Sequence, residues 1–134
     1  MGLIEELGTY VATASTRFTL GTNAFLNNLP DEPATASSFV EYGGGPPYFT
    51  LGGSLPKYER QRVQVACRST SSVTARANVG AAWVAVSAIA NTTLSSHGWL
   101  RAEPVQSPFL MRRDEQGRVL YAFNCDCVRR TTST

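Results

Sequence analysis

The stretch Ser38–Arg68, SFVEYGGGPPYFTLGGSLPKYERQRVQVACR, holds two strand-like arms around a glycine- and proline-rich loop. In the second arm, Lys57–Arg68, the residues Val63, Val65 and Cys67 alternate with Arg62, Gln64, Ala66 and Arg68. Successive side chains of a strand point to opposite faces, so this period of two predicts a half-buried strand. Phe39, Val40 and Tyr42 make the first arm. Between the arms, Gly43–Gly45, Pro46, Pro47, Gly52, Gly53 and Pro56 predict a loop that no regular ladder crosses, because proline lacks a donor and glycine weakens pairing. The loop also carries Tyr48, Phe49 and Leu51, which a merely solvated loop disfavours. Long loops in compact domains are uncommon and tend to be functional or disordered. Segment 43–56 therefore reads as a projecting contact loop hung on a sheet.

Working outward, residues 3–15 are expected to be a helix, with Leu3, Leu7, Tyr10, Val11 and Ala14 at helical spacing. Glu5 and Glu6 suit the positive end of its dipole. A short strand around Thr22–Asn28 follows, closed by the Pro-Asp-Glu-Pro turn of residues 30–33. Ser69–Ser72 offer capping hydroxyls for a second, longer helix that runs about 20 residues to Ala90. Val73, Ala77, Gly80, Ala81, Val84 and Ala88 form one apolar stripe on it, and Val79, Trp83, Val86 and Ala90 an adjoining one. Strands are expected at Thr92–Leu94 and Trp99–Gln106, around a Ser-Ser-His-Gly turn. Two more, at Phe109–Arg113 and Arg118–Arg129, flank Asp-Glu-Gln-Gly. The fold class is α+β: a mostly antiparallel sheet with a long helix packed on one face and a short N-terminal helix. Residues 131–134 form a polar tail.

At 134 residues the chain fits one domain, 1–134, able to bury roughly two-thirds of the surface its unfolded form exposes. Only 16% of residues are charged, which leans toward surface reserved for a partner. The net charge of +2 is too balanced to imply a nucleic-acid partner or a membrane. Three cysteines, an odd number without framework spacing, point to free thiols in a reducing compartment. The acidic Glu5 and Glu6 stand where a signal peptide would be basic, and no apolar run is long enough to span a bilayer.

Chemistry is hard to assemble from these residues. Cys125 and Cys127 share a strand face, and Cys67 with His97 would complete a zinc quartet. However, a straight C-x-C strand lacks the tight turn of structural zinc sites, and buried cysteine as a small hydrophobe is commoner. His97, the only histidine, is expected to be solvated in a hairpin turn, with no carboxylate near in sequence to orient a Ser95 or Ser96 pairing. The glycine clusters lack the lysine and the following helix of a phosphate loop. Arg112, Arg113 and Asp114 read as a surface or intersubunit ion-pair group. No catalytic, cofactor or metal residues are nominated. A small metal-dependent hydrolase and a small-molecule binding module stand as contrasting readings, to be separated by metal analysis and by a preformed apolar pocket.

Several segments in order carry a resemblance: Gly21–Pro33 (GTNAFLNNLPDEP), Phe39–Pro47 (FVEYGGGPP), Leu51–Gly53, Arg60–Arg68 (RQRVQVACR), Gln106–Arg113 (QSPFLMRR), Asp114–Arg118 (DEQGR) and Tyr121–Arg129 (YAFNCDCVR). Together they resemble the bacteriophage minor capsid protein family of small neck proteins, which is similar to the tail terminators of long-tailed phages. The resemblance implies a non-enzymatic virion protein of the neck, assembled in the host cytoplasm. Its partners would be further copies of itself in a ring, usually of six subunits, the tail tube protein, and the head–tail connector or stopper. Genome DNA would pass through such a ring without sequence-specific recognition. The alternatives within this class are another neck or head-completion (stopper) ring protein and a tail-tube-like protein. A closed ring needs two different patches on each subunit. Tyr48, Phe49 and Leu51 in the loop, and Arg112, Arg113 and Asp114 in the last hairpin, are the expected interface residues.

Overall fold

The computed structural model describes residues 2–49 and 56–132, and the side chains of Tyr48, Phe49 and Pro56 are outside that description. In chain order the elements are α1 (Leu3–Ala14), β1 (Ala24–Leu26), β2 (Ala36–Gly43), β3 (Tyr48–Phe49), β4 (Pro56–Ser69), α2 (Ser72–Ser87), β5 (Ala90–Leu94), β6 (His97–Pro104), β7 (Phe109–Arg113) and β8 (Val119–Arg130). The strands form one sheet in the order β1-β2-β4-β8-β6-β5, with β3 beside β4 and β7 beside β8. All pairings are antiparallel except β1 with β2. The α+β class and the mostly antiparallel sheet are as the sequence predicts.

The central pair is β4 with β8, in unbroken register from Tyr58 opposite Arg130 to Ser69 opposite Val119. Val63, Val65 and Cys67 from one strand, and Val119, Phe123, Cys125 and Cys127 from the other, are buried under the helices. From α1 come Leu3, Leu7 and Val11, and from α2 Ala75, Val79, Ala82 and Val86. Phe18 meets Phe39 edge to face, with centroids 6.3 Å apart. On the helix-free side, the chain between β1 and β2 folds over the end of the sheet. Buried Arg68 holds it there, donating to the carbonyls of Pro30 at 2.6 Å, Pro33 at 2.7 Å and Ala34 at 3.2 Å. That cover explains why Arg68, expected on the open face, is buried; Ala66, two positions before it on the same face, is buried as well.

Three expectations are corrected. Helix α2 has 16 residues and ends at Ser87, so it is not the long helix predicted to reach Ala90. Its N-cap is Ser71, whose side chain accepts from the Thr74 amide as expected. The buried stripe is Ala75, Asn78, Val79, Ala82, Ala85 and Val86. The stripe Val73, Ala77, Val84, Ala88 faces solvent instead, because alanine and valine surround this helix and hydropathy cannot choose among its faces. The third correction concerns the loop: its backbone at Tyr48–Phe49 returns to pair with Tyr58 and Pro56, so a short ladder does form within it. Gly44 is required there, since a Cβ would collide with the Arg60 carbonyl.

Candidate functional site

The densest polar cluster lies inside the molecule. Glu6 is 1% exposed, because the turn of α1 that buries Leu3 and Leu7 also points it at β6 and β8. Its Oε1 accepts from Trp99 Nε1 at 3.0 Å and from Arg129 Nη1 at 3.2 Å. Its Oε2 accepts from the amide and hydroxyl of Ser96, each at 3.2 Å, and lies 2.9 Å from His97 Nδ1. Arg129 also pairs with Glu59 at 2.7 Å. Burial pushes the Glu6 pKa up, but donors from Trp99, His97, Ser96 and Arg129 outweigh it and hold the carboxyl below its ordinary value. His97 is therefore not a solvated turn residue. It opens β6 opposite Leu94, the turn being Ser95–Ser96, and the carboxylate that sequence separation hid arrives from α1.

Serine, histidine and glutamate now stand together, yet they do not make a nucleophilic triad. A triad needs one imidazole nitrogen on the nucleophile and the other on the acid. Here Ser96 Oγ, at 3.0 Å, and Glu6 Oε2 both meet Nδ1. No proton relay runs through that geometry, and the cluster is a fastening between α1 and two strands.

The structure also disperses the candidate zinc ligands. Cys125 and Cys127 do share a face, with sulfurs 3.7 Å apart. Cys67 lies opposite Tyr121, four residues along β8 from Cys125, a separation of roughly 13 Å. Its thiol contacts Ser37 Oγ at 3.2 Å. Burial, only partly offset by that hydrogen bond, pushes its pKa up to about 12. The Cys127 thiol is also raised, by its hydrogen bond with Cys125 and by burial. Among the described residues no group of three or more metal-ligating side chains converges.

What remains is surface. Arg112 and Arg113 are exposed on β7, opposite Leu120 and Val119. Asp114 is committed inside its own turn. Its Oδ1 accepts from the amides of Gln116 and Arg118 and its Oδ2 from Arg118 Nε at 2.6 Å, while Gly117 takes φ +77°. Burial raises the Asp114 pKa, but these Arg118 and Gln116 donors outweigh it and leave it lowered. The structure brings Arg112 and Asp114 together with Arg68, Arg118 and Asp31 around one polar depression of about 280 Å³. Leu51 lies outside the described residues. The backbone of Tyr48 and Phe49 lies beside the start of β4, at the opposite end of the sheet from Arg112 and Arg113. Among the described residues no helix is long and apolar enough to cross a membrane.

Residues 5–130 match a family profile described as bacteriophage tail terminator protein. The chain belongs to the bacteriophage tail terminator family. Individually curated proteins yield no match. The matched span takes in all ten elements apart from the first two residues of α1, so membership concerns the whole fold rather than one motif. As a tail terminator the protein is a structural component of the virion tail, and the family is not catalytic. In this terminator the outer surfaces, and not an internal site, are where function is to be sought. Sequence reasoning missed the Glu6 cluster because Glu6 and Arg129 are 123 positions apart. A glutamate and a leucine adjoining at helical positions 6 and 7 were its only hint.

Proposed function

We propose that this tail terminator assembles as a closed ring, hexameric as the resemblance implies, which caps the tail tube and joins it to the head–tail connector or stopper at the neck. Membership of the tail terminator family over residues 5–130 carries this reading. The placement of two candidate contact segments supports it. The Tyr48–Phe49 backbone and the Arg112–Arg118 hairpin sit at opposite ends of the β4–β8 pair, and a ring built from one kind of subunit needs two unlike patches that do not compete for the same place. Assembly takes place in the host cytoplasm, and genome DNA passes through the ring without base-specific contacts.

The test replaces Tyr48, Phe49 and Leu51 together by serine. The variant should fold, since the changes avoid both helices and the β4–β8 core. Tails made with it should be overlong or variable, with heads and tails accumulating unjoined in micrographs. Normal-length, joined tails from a folded triple variant remove the loop from the contact. Images of wild-type particles without a ring of this chain around the tail axis reject the ring.

A further inference from the structure

Helix α2 is apolar on its outer side as well as its inner one. Val73 is 78% exposed and Val84 66%, with Ala77 and Gly80 between them on the same side. Next to this stripe Leu110 of β7 is 51% exposed. Arg76, Gly80, Phe109, Leu110 and Tyr121 line one open cleft of about 550 Å³. A second depression, bounded by Ser72, Val73, Arg76 and Ala77, extends it along the helix. Contiguous apolar surface of this kind marks an interaction site.

The charges around this shelf say what would cover it. Arg76 stands in it, its guanidinium 5.4 Å from the Tyr121 ring centre and donating to the Tyr121 hydroxyl at 3.1 Å. Arg113, opposite Val119, is exposed on the same face of the neighbouring strand, whereas Arg112 lines the polar depression on the other face. At the far end of the sheet, Glu5, Glu41 and Glu59 rim a depression beside Gly2 at the start of α1, and Arg60, which also lines it, is paired with Asp126 at 3.2 Å. Glu59 is already paired with Arg129, whereas Glu5 is exposed and Glu41 half-exposed. The register sets these ends apart: Ser69, which leads into α2, lies opposite Val119 beside Arg113, while Glu59 lies opposite Arg129. One chain thus carries a cationic apolar shelf at one end and an anionic rim at the other. Two shelves docked face to face would bring Arg76 and Arg113 against their own copies, and desolvated charges without partners are expensive. Shelf on rim compensates both.

We infer that copies of this chain pack head to tail, the α2–β7 shelf of one copy (Val73, Arg76, Gly80, Val84, Leu110) receiving the Glu5–Glu41 rim of the next; this rests on the ring reading above. Gly80 lets a neighbour approach the α2 backbone closely, since nothing in the chain lies within 4 Å of where its Cβ would be.

Two cysteines report the contact directly: A77C on the shelf, and G2C beside the rim, where an added Cβ meets only the end of the Glu5 side chain. Purified tails carrying the A77C/G2C protein, treated with a short bifunctional maleimide, should give a covalent ladder of dimers, trimers and higher species. Either single variant should give none. Dimers from A77C alone would mean shelf on shelf and overturn the inference, as would cross-links from A77C to a different virion protein. Absence of any ladder in tails whose images show a ring of this chain overturns it too. Images without such a ring overturn the ring reading itself, whatever the gel shows. As a second arm, G80K should melt no lower than the parent, because the site is open and glycine is a poor helix former, and should lose assembly. Folded G80K that assembles normally contradicts the head-to-tail contact.

Discussion

Glu6 shows how much one side chain can be asked to hold. It ties α1 to Ser96, His97, Trp99 and Arg129 through five donors. Removing one partner of a buried ion pair leaves the other uncompensated, at about 3–5 kcal/mol, so Glu6→Ala should lower the unfolding free energy by that order in a urea titration. The same carboxyl sets a pH response. Its folded pKa is below its ordinary value of 4.5, so its contribution is full above that value and disappears as pH falls through the folded pKa. Melting temperature should drop on acidification below pH 4.5, and E6Q should show a shallower drop; equal acid slopes for both would contradict the assignment. The cysteines give a separate check. With the Cys67 thiol raised to about 12 and all three cysteines buried, native protein at neutral pH should react with a thiol reagent far more slowly than unfolded protein.

Among the elements, α2 is the one whose orientation is least dictated by its composition. Its inner stripe follows the spacing 75, 78, 79, 82, 85, 86, and each of these residues except Asn78 is as small or as apolar as those on the outside. Val79 is fully buried. Val79→Ala should therefore destabilise by about 2 kcal/mol through lost methyl burial and the residual cavity. Val84→Ala, on the outer side, should stay within about 0.5 kcal/mol. A matched pair of denaturation curves decides the orientation; equal losses would mean the helix is rolled. The segment between β1 and β2 has the opposite character. Its Pro-Asp-Glu-Pro turn is evident from sequence, but its position over the sheet depends on Arg68 reaching four carbonyls.

For the molecule as a whole, the two ends of the β4–β8 pair matter more than any cavity. Placing the loop after β2 at one end and the Arg112–Arg118 hairpin with the outer side of α2 at the other suits a subunit that contacts unlike surfaces of its neighbours. If the terminator caps the tube, phage lacking the protein should make tails of uncontrolled length that do not join heads, visible by negative-stain microscopy. Normal tail lengths and normal joining without it would reject the capping role.

Period-two alternation over Lys57–Arg68 and Val119–Arg129 was enough to read the two central strands. The Ser71 cap and the Gly117 turn were legible for the same reason: each depends on residues a few positions apart. Local chemistry offered no phosphate loop and nominated no active site. Long-range placement followed other rules. Which side of α2 is buried was decided by the sheet beneath it, since its own residues are apolar all round. His97 became a part-buried partner of Glu6, rather than a solvated turn residue, because α1 docks against β6 with 91 positions of chain between them. Arg68 left the solvent because a distant turn folded over it. Alternation and capping are properties of neighbours in sequence, while burial of a charge depends on which donors the completed fold brings within 3 Å of it.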